Sequence, residues 1–227
     1  MKTLPFEYPE NAAVGKVVHK NKFYKQTRLT PATKELFVRQ VEIIVWEFKL
    51  APETVNIKRT SAVPEIQIFS ISLKTGELKS DVLRCIDMAI PFPIIFELRF
   101  NDELQSVAAY KRPSEANSTK LVISEYFFGD WVSVDSPRRP LPMVFNLDML
   151  YGHLLAPLMP YQPKSGERLE EHVQRMESIR QKQTEVERCR QRLQREKQFN
   201  RKVSINAELR ELEHELENLT ITPLASE

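Results

Sequence analysis

Residues 165–219 read SGERLEEHVQRMESIRQKQTEVERCRQRLQREKQFNRKVSINAELRELEHELENL. After Gly166 the stretch holds neither Gly nor Pro and is dense in Arg, Lys, Glu and Gln, all good helix formers. The pattern predicts one continuous helix over Ser165–Leu219. At about 1.5 Å per residue it would span roughly 80 Å, too long to lie along a domain built from the 160 residues before it. Such a rod must find a partner for its apolar stripe or leave that stripe in water.

The stripe is sharpest at its end. Ile205, Leu209, Leu212, Leu216 and Leu219 step by four, three, four and three, the 3.5-residue period of a coiled-coil seam. Leu169, Val173, Met176, Ile179, Val186 and Leu193 keep a looser face, with Gln183 and Arg190 where aliphatic residues would sit. The phase slips between them, over Glu196–Lys202. With no Gly or Pro there, a stutter in a continuous helix is expected rather than a hairpin. Charge is segregated too. Arg188–Lys202 carries seven basic residues and one acid, a net of +6, and Glu208–Glu217 carries five acids and one Arg, a net of −4. Parallel in-register pairing of two such helices would set like charges together, whereas an antiparallel or a staggered pairing sets the basic middle against the acidic end. The basic run reads as a solvated face, a contact for an acidic protein, or a contact for a nucleic-acid backbone, with Arg188, Arg192, Arg195, Lys197, Arg201 and Lys202 as its candidate residues.

The chain of 227 residues has room for one globular domain plus this arm, and 41% hydrophobic residues with twelve Phe can build a core. A net charge of +2 demands no polyanionic partner. Cys85 and Cys189 fall in different predicted elements, with neither metal nor disulfide spacing, which fits a reducing cytoplasm. Met1–Pro5 leads into charge, and no run of about 18 apolar residues occurs, so neither a signal peptide nor a membrane span is expected.

Along the head, residues 1–30 read as mostly irregular, with a short strand at Val14–Val18 and a basic run of Lys16, Lys20, Lys22 and Lys25 near Phe23 and Tyr24. Thr30-Pro31 starts a helix expected to reach about Lys49. Thr54–Lys58, Glu65–Leu73, Ile94–Phe100, Leu104–Tyr110 and Leu121–Phe128 read as strands, the last three as a meander. Ser80-Asp81 starts a helix to Ala89, and Asn146 caps another closed by Pro157 and Pro160. Gly129–Pro142 reads as a surface crossing. The expected architecture is α+β: a mixed, largely antiparallel sheet with helices over residues 1–160, a hinge at 161–164, a long coiled-coil helix over 165–219, and a flexible tail at 220–227.

Chemistry is sparse. Five Gly leave no material for a phosphate loop, no GxSxG, HExxH, CxxC or kinase signature occurs, and His19, His153, His172 and His214 lie in four separate segments. A metal-dependent nuclease of the restriction type needs an acid on one strand, then an acid and a Lys two apart on the next. Glu97-Leu98-Arg99 has the spacing but Arg for Lys, and Ser72 stands where the other acid belongs. Glu65, Asp87, Glu97, Lys49 and Lys111 sit at ends or faces of core elements, as salt bridges or as a cleft. No catalytic residue, metal ligand or cofactor is assigned.

Several stretches together carry a resemblance: Trp46–Ile57 (WEFKLAPETVNI), Glu65–Phe69 (EIQIF), Ile86-Asp87 with Ala89-Ile90-Pro91, Tyr110-Lys111, Leu147–Tyr151 (LDMLY) and Glu196–Val203 (EKQFNRKV). From about Lys16 to Leu219 the chain resembles an uncharacterised prokaryotic family, the domain of unknown function DUF4391. The resemblance implies no established activity. It implies genomic company with helicases and DNA methyltransferases in phage-defence or restriction loci, and a contact at Lys197–Lys202 beyond simple coiling. The expected function is a non-enzymatic adaptor, an accessory subunit of such a system. It would hold a protein partner, such as the helicase or methyltransferase, or a second copy through Ile205, Leu209, Leu212, Leu216 and Leu219. Nucleic-acid binding through the 188–202 stretch is the alternative, and a divergent nuclease the second alternative.

Overall fold

The computed structural model describes residues 2–26, 29–114 and 121–221, with Lys25 and Gln26 described in backbone only. The chain divides into two units, Met1–Met159 and Pro160–Glu227. The Lys25 side chain, most of the loop expected after Pro113, and residues 222–227 of the expected tail lie outside the described residues.

The first unit is a six-stranded mixed sheet whose spatial order follows the chain, β1 to β6. A short 3-10 turn at Glu10–Ala12 leads into β1 (Ala13–Val17). Then comes α1 (Lys20–Gln26), a helix inside a segment expected to be irregular. Next, α2 (Pro31–Gln40) begins as its sequence demands: the Thr30 side chain accepts from the Thr33 N–H and Pro31 takes the first helical position. It stops nine residues short of the expected Lys49. Val41–Leu50 is instead strand β2, pairing antiparallel with both neighbours. The helical spacing of Leu36, Phe37, Val41, Ile44, Val45 and Phe48 hid the boundary, since no Gly or Pro marks it. The β-branched and aromatic run VEIIVWEF fits a pleated, half-buried surface better than a helix. Thr54–Lys58, expected as a strand, opens instead as part of the short helix α3 (Pro52–Val55), closed by Asn56 in the left-handed region.

Strand β3 (Ile66–Leu73) is buried on both faces. Helix α4 (Ser80–Ala89) carries the chain over to β4 (Ile94–Phe100), the one parallel pairing in the sheet. Its N-cap position is Lys79, one residue ahead of the expected Ser80-Asp81 start, with Asp81 in the first turn. A turn with Asn101 at φ 52° joins β4 to β5 (Glu103–Pro113), as expected for a hairpin. Strand β6 (Leu121–Ser133) runs five residues past Phe128, so the first part of the expected surface crossing is sheet. The rest returns along the unit through two isolated parallel bridges, Phe6 with Arg139 and Lys58 with Asn146. Asn146 then caps α5 (Leu147–Leu155), accepting from the Met149 N–H. The larger core packs Phe37, Val41, Ile44, Phe69 and Ile71 with Val82, Leu83 and Ile86 of α4 and Phe96, Leu98 and Val107 of the sheet.

The second unit corrects the expectation of one continuous helix. It holds two long helices, α6 (Leu169–Arg195) and α7 (Phe199–Thr220), separated by Glu196–Gln198. They run antiparallel. Arg175 reaches Leu219, Lys182 pairs with Glu215, Arg190 with Glu213 and Arg192 with Glu208. No Gly or Pro makes the break. Glu196 and Gln198 leave helical backbone, and one Glu196 carboxylate oxygen accepts from the Lys197 and Gln198 N–H groups at 2.8 and 2.9 Å. That side-chain bonding replaces the helical ladder locally. The larger driving force is burial: Val186 and Cys189 close on Ile205 and Leu209, with Leu193, Leu212 and Leu216 packed against them. The phase slip in the seam is thus the turn between two faces that cover each other.

Candidate functional site

The charged residues singled out in the head form three separate sets rather than one cleft. The first is Lys49, 2.7 Å from Glu53 and 3.5 Å from Glu65. The second is centred on Glu97. Its carboxylate takes a two-pronged bond from Arg138, Nη1 to Oε1 at 2.7 Å and Nη2 to Oε2 at 2.9 Å, while Nη1 also donates to the Phe6 carbonyl at 2.8 Å. Arg99 Nη2 lies 3.7 Å from Glu97 and 3.8 Å from Glu47, whose other neighbour is the Ser70 hydroxyl donating at 2.5 Å. Tyr8 is buried there; loss of hydration and the Glu97 charge push its phenol up, with Arg138 opposing.

The third set is buried most deeply. Lys111 Nζ sits 2.5 Å from Asp87 Oδ1, with both side chains 1% exposed. The same ammonium donates to the carbonyls of Asp87, Ile90 and Phe92 at 3.0, 3.1 and 2.8 Å. These carbonyls lie at and just beyond the C-terminal end of α4, where a cation satisfies orphan acceptors and the helix dipole together. Asp87 Oδ2 accepts from the Tyr126 hydroxyl at 2.5 Å. Burial pushes the Asp87 carboxyl up and the Lys111 ammonium down, and each charge opposes that shift in the other. Four acceptors around one Nζ suit an ammonium and not an amine, so the pair is ionised. Tyr151 completes the set, donating to the Ala109 carbonyl at 2.6 Å, accepting from the Lys111 N–H at 3.0 Å and stacking on Tyr110.

Glu97 and Asp87 therefore serve opposite faces of the sheet. Helix α4 packs on the face of Phe96 and Leu98, and Glu97 lies between them in the alternation of β4. Both oxygens of Glu97 are taken by Arg138. Among the described residues no three His, Cys, Asp or Glu side chains are placed to hold a metal ion. Glu65, Asp87 and Glu97, the acids considered for a restriction-type site, thus fall in three separate sets, and the Glu97 carboxylate is held by Arg138.

A concave surface of the first unit lies elsewhere. A groove of about 710 Å³ runs between Tyr8-Pro9, Val55–Ile57 and Pro140–Val144, with Glu7 and Glu10 in its wall. Met143, in its lining, and Phe145, just past that lining in sequence, project fully or nearly so into solvent.

In the second unit the candidate residues separate by role. Ile205 and Leu209 are covered by α6 within the hairpin, Leu212 and Leu216 are half-buried against the same cluster, and Leu219 is half-buried near the far end. Of the basic run, Arg192 is held by Glu208, and Arg190 by Glu213 at 2.7 Å. Arg188, Arg195, Lys197, Arg201 and Lys202 are exposed and make no ion pair among the described residues. Antiparallel pairing spends Glu208, Glu213 and Glu215 on α6 and leaves the turn basic. A shallow concavity of about 310 Å³ on the outer face of α6 is lined by Arg188, Gln191, Arg192 and Arg195, one face at helical spacing, with Glu196. Phe199, first residue of α7, is 76% exposed, and Val203 one turn later is 55% exposed. Sequence reasoning passed over these two because they lie off the seam. The usable signal was an aromatic residue inside an otherwise polar, basic tract.

The base of the hairpin is fastened by Arg175. Its Nε and Nη2 bond the two oxygens of Glu167 at 2.7 and 2.8 Å, and Nη2 also donates to the Gln162 carbonyl. His172 is buried beside it with Nε2 2.7 Å from the Tyr161 carbonyl oxygen, and burial lowers its pKa. The Arg175 bonds hold the Glu167 carboxyl down to about 2. A carboxyl lowered by folding lends stability that is present above its ordinary pKa and lost as pH falls through the folded value. The hairpin base is therefore expected to weaken between about pH 4.5 and 2. Carboxyl carbon NMR should find Glu167 titrating near 2, and Arg175→Gln should return it to the usual carboxylate range.

The model of the family described as a domain of unknown function, DUF4391, matches residues 6–216 of the chain. The chain belongs to this family. No curated protein and no solved structure gave a match. The stretches that carry the DUF4391 likeness fall on the sites just described. Ile86-Asp87, Ala89-Ile90-Pro91, Tyr110-Lys111 and Leu147–Tyr151 meet in the Asp87–Lys111 network. Trp46–Ile57 and Glu65–Phe69 hold the Lys49 set and Glu47. Glu196–Val203 is the hairpin turn with Phe199. The first two are explained by folding; the third buries nothing.

Proposed function

We propose that this DUF4391 chain acts by binding rather than catalysis, and that it contacts nucleic acid through the turn of its C-terminal hairpin. The observation that carries the reading is charge left over. Arg188, Arg195, Lys197, Arg201 and Lys202 are exposed and form no ion pair among the described residues, with Glu196 the single acid in their stretch, while Lys182, Arg190 and Arg192 are paired across to α7. Concentrated unpaired cations gain from releasing the counterions of a phosphate backbone. Anisotropy titrations of labelled DNA and RNA against salt should give a linear log–log fall, with a slope of at most about −3.5 for five contacts to a single strand. Lys197→Glu with Arg201→Glu and Lys202→Glu should abolish the binding. A flat salt response, or binding untouched by that triple variant, refutes the proposal.

A second reading keeps the chain as a cytoplasmic adaptor in a helicase or methyltransferase defence system, holding a protein partner or a second copy by the hairpin. It is favoured by Leu212, Leu216 and Leu219, which keep part of their surface uncovered. It has less support than the first, because Ile205 and Leu209 already face Val186 and Cys189. No helix among the described residues is long and apolar enough to cross a membrane.

A further inference from the structure

Resting on the nucleic-acid reading above, we infer that the hairpin turn takes an unpaired single strand, with a base stacked on Phe199 and the flanking phosphates on the free cations around it, in preference to duplex. The ring is the first argument. Phe199 lies 76% exposed in a surface otherwise made of Lys197, Gln198, Asn200, Arg201 and Lys202. An apolar ring that adds nothing to the hairpin core is a stacking platform in search of a flat apolar face. Val203, one turn along α7 and 55% exposed, widens the apolar surface. A phenyl ring carries no donor or acceptor, so it tolerates any base, but it reaches a base face only where the base is unstacked. Duplex DNA presents its phosphates to the same cations and hides the faces.

The second argument is extent. On α6 the basic face runs from Arg188 to Arg195, roughly 10 Å along the axis. Alongside and beyond it α7 is acidic: Glu208 pairs with Arg192, Glu213 with Arg190 and Glu215 with Lys182 further down, and Glu211 and Glu217 are exposed and unpaired among the described residues. A polyanion is therefore confined to the turn, about three nucleotides at stacked spacing. So short a track suits a flexible strand that can curl around a protruding turn, not a stiff duplex needing a long basic face.

The test uses the full chain, a fluorescein-labelled oligothymidylate, its duplex with oligoadenylate, and a polyglutamate peptide as competitor. The single strand should bind roughly 5- to 100-fold tighter than the duplex, and Phe199→Ala should remove a factor of that size while leaving the salt slope unchanged. Phe199→Trp should retain binding. Lys202→Gln should instead lower the slope by about 0.7 with the single-strand preference kept. Phe199 is exposed, so these variants should fold, and unchanged far-UV circular dichroism checks that. Equal affinity for duplex, or no effect of Phe199→Ala, overturns the stacking inference and leaves the nucleic-acid reading standing. Binding of no nucleic acid, or displacement by polyglutamate at matched charge, overturns both.

Discussion

Lys111→Met should lower the stability of the first unit by about 3–5 kcal/mol, the largest single effect expected in this chain. The substitution keeps most of the side-chain volume and removes the charge. It leaves the Asp87 carboxylate, 1% exposed, without its counter-ion, and it strips the carbonyls of Asp87, Ile90 and Phe92 of their shared donor. Trp46 and Trp131 are the only tryptophans, and both lie in residues 1–159, so their fluorescence during urea unfolding reports that unit alone. Asp87→Asn placed on top of Lys111→Met should restore part of the loss, so the two changes are strongly non-additive. The sign of the pH dependence is a further check. In Lys111→Met the stranded carboxyl binds its proton more tightly folded than unfolded, so the variant gains stability as pH falls from 7 towards the ordinary carboxylate range. A loss below about 1 kcal/mol, or additive effects, would show that the pair is not the anchor of α4 described here.

Leu209→Asp should open the hairpin. Leu209 is 8% exposed and meets a core of only a few side chains, Val186, Cys189 and Ile205 with Leu193, Leu212 and Leu216 around them. A carboxylate placed there is desolvated without a partner, at a cost of several kcal/mol, more than so small a cluster can absorb. Amide hydrogen exchange over residues 186–212 should accelerate by orders of magnitude, with tryptophan fluorescence unchanged. Leu212→Asp, at a half-buried position, should do much less. In the wild-type chain, protection that does not depend on protein concentration would agree with a seam covered from inside one molecule. Slow exchange persisting in Leu209→Asp would instead mean that the hairpin is held by something other than this cluster.

Legibility in the sequence followed the kind of signal each element sent. Thr30-Pro31, Asn146 and the alternation over Ile94–Phe100 are local chemistry, and each element begins where expected. Over Val41–Leu50 the apolar residues satisfy the helical spacing and no breaker intervenes, yet strand propensity and pairing on both sides make it a strand. The long C-terminal helix failed for a related reason. The slip at Glu196–Lys202 and the opposite charges on either side were both visible, and read together they describe a hairpin. The turn went unseen because Glu196 bonds the backbone in place of a glycine. At the buried sites, pairings such as Arg138 with Glu97 join residues 41 apart through the return of the chain after β6, and no local pattern encodes that. The basic turn was legible as composition; what spacing could not give was which cations the acids of α7 would neutralise.

The order of the strands also governs how this chain comes off the ribosome. Because β1 to β6 lie side by side in the sequence in which they are made, each strand emerges next to a neighbour already synthesised, and only the step through α4 must wait for a crossover. The sheet can be laid down progressively from its first edge. The seals come late: the Phe6 bridge waits for Arg139, and the Lys58 bridge for Asn146. A nascent chain halted before residue 139 would hold a sheet whose amino-terminal arm still lacks its backbone bridge to Arg139.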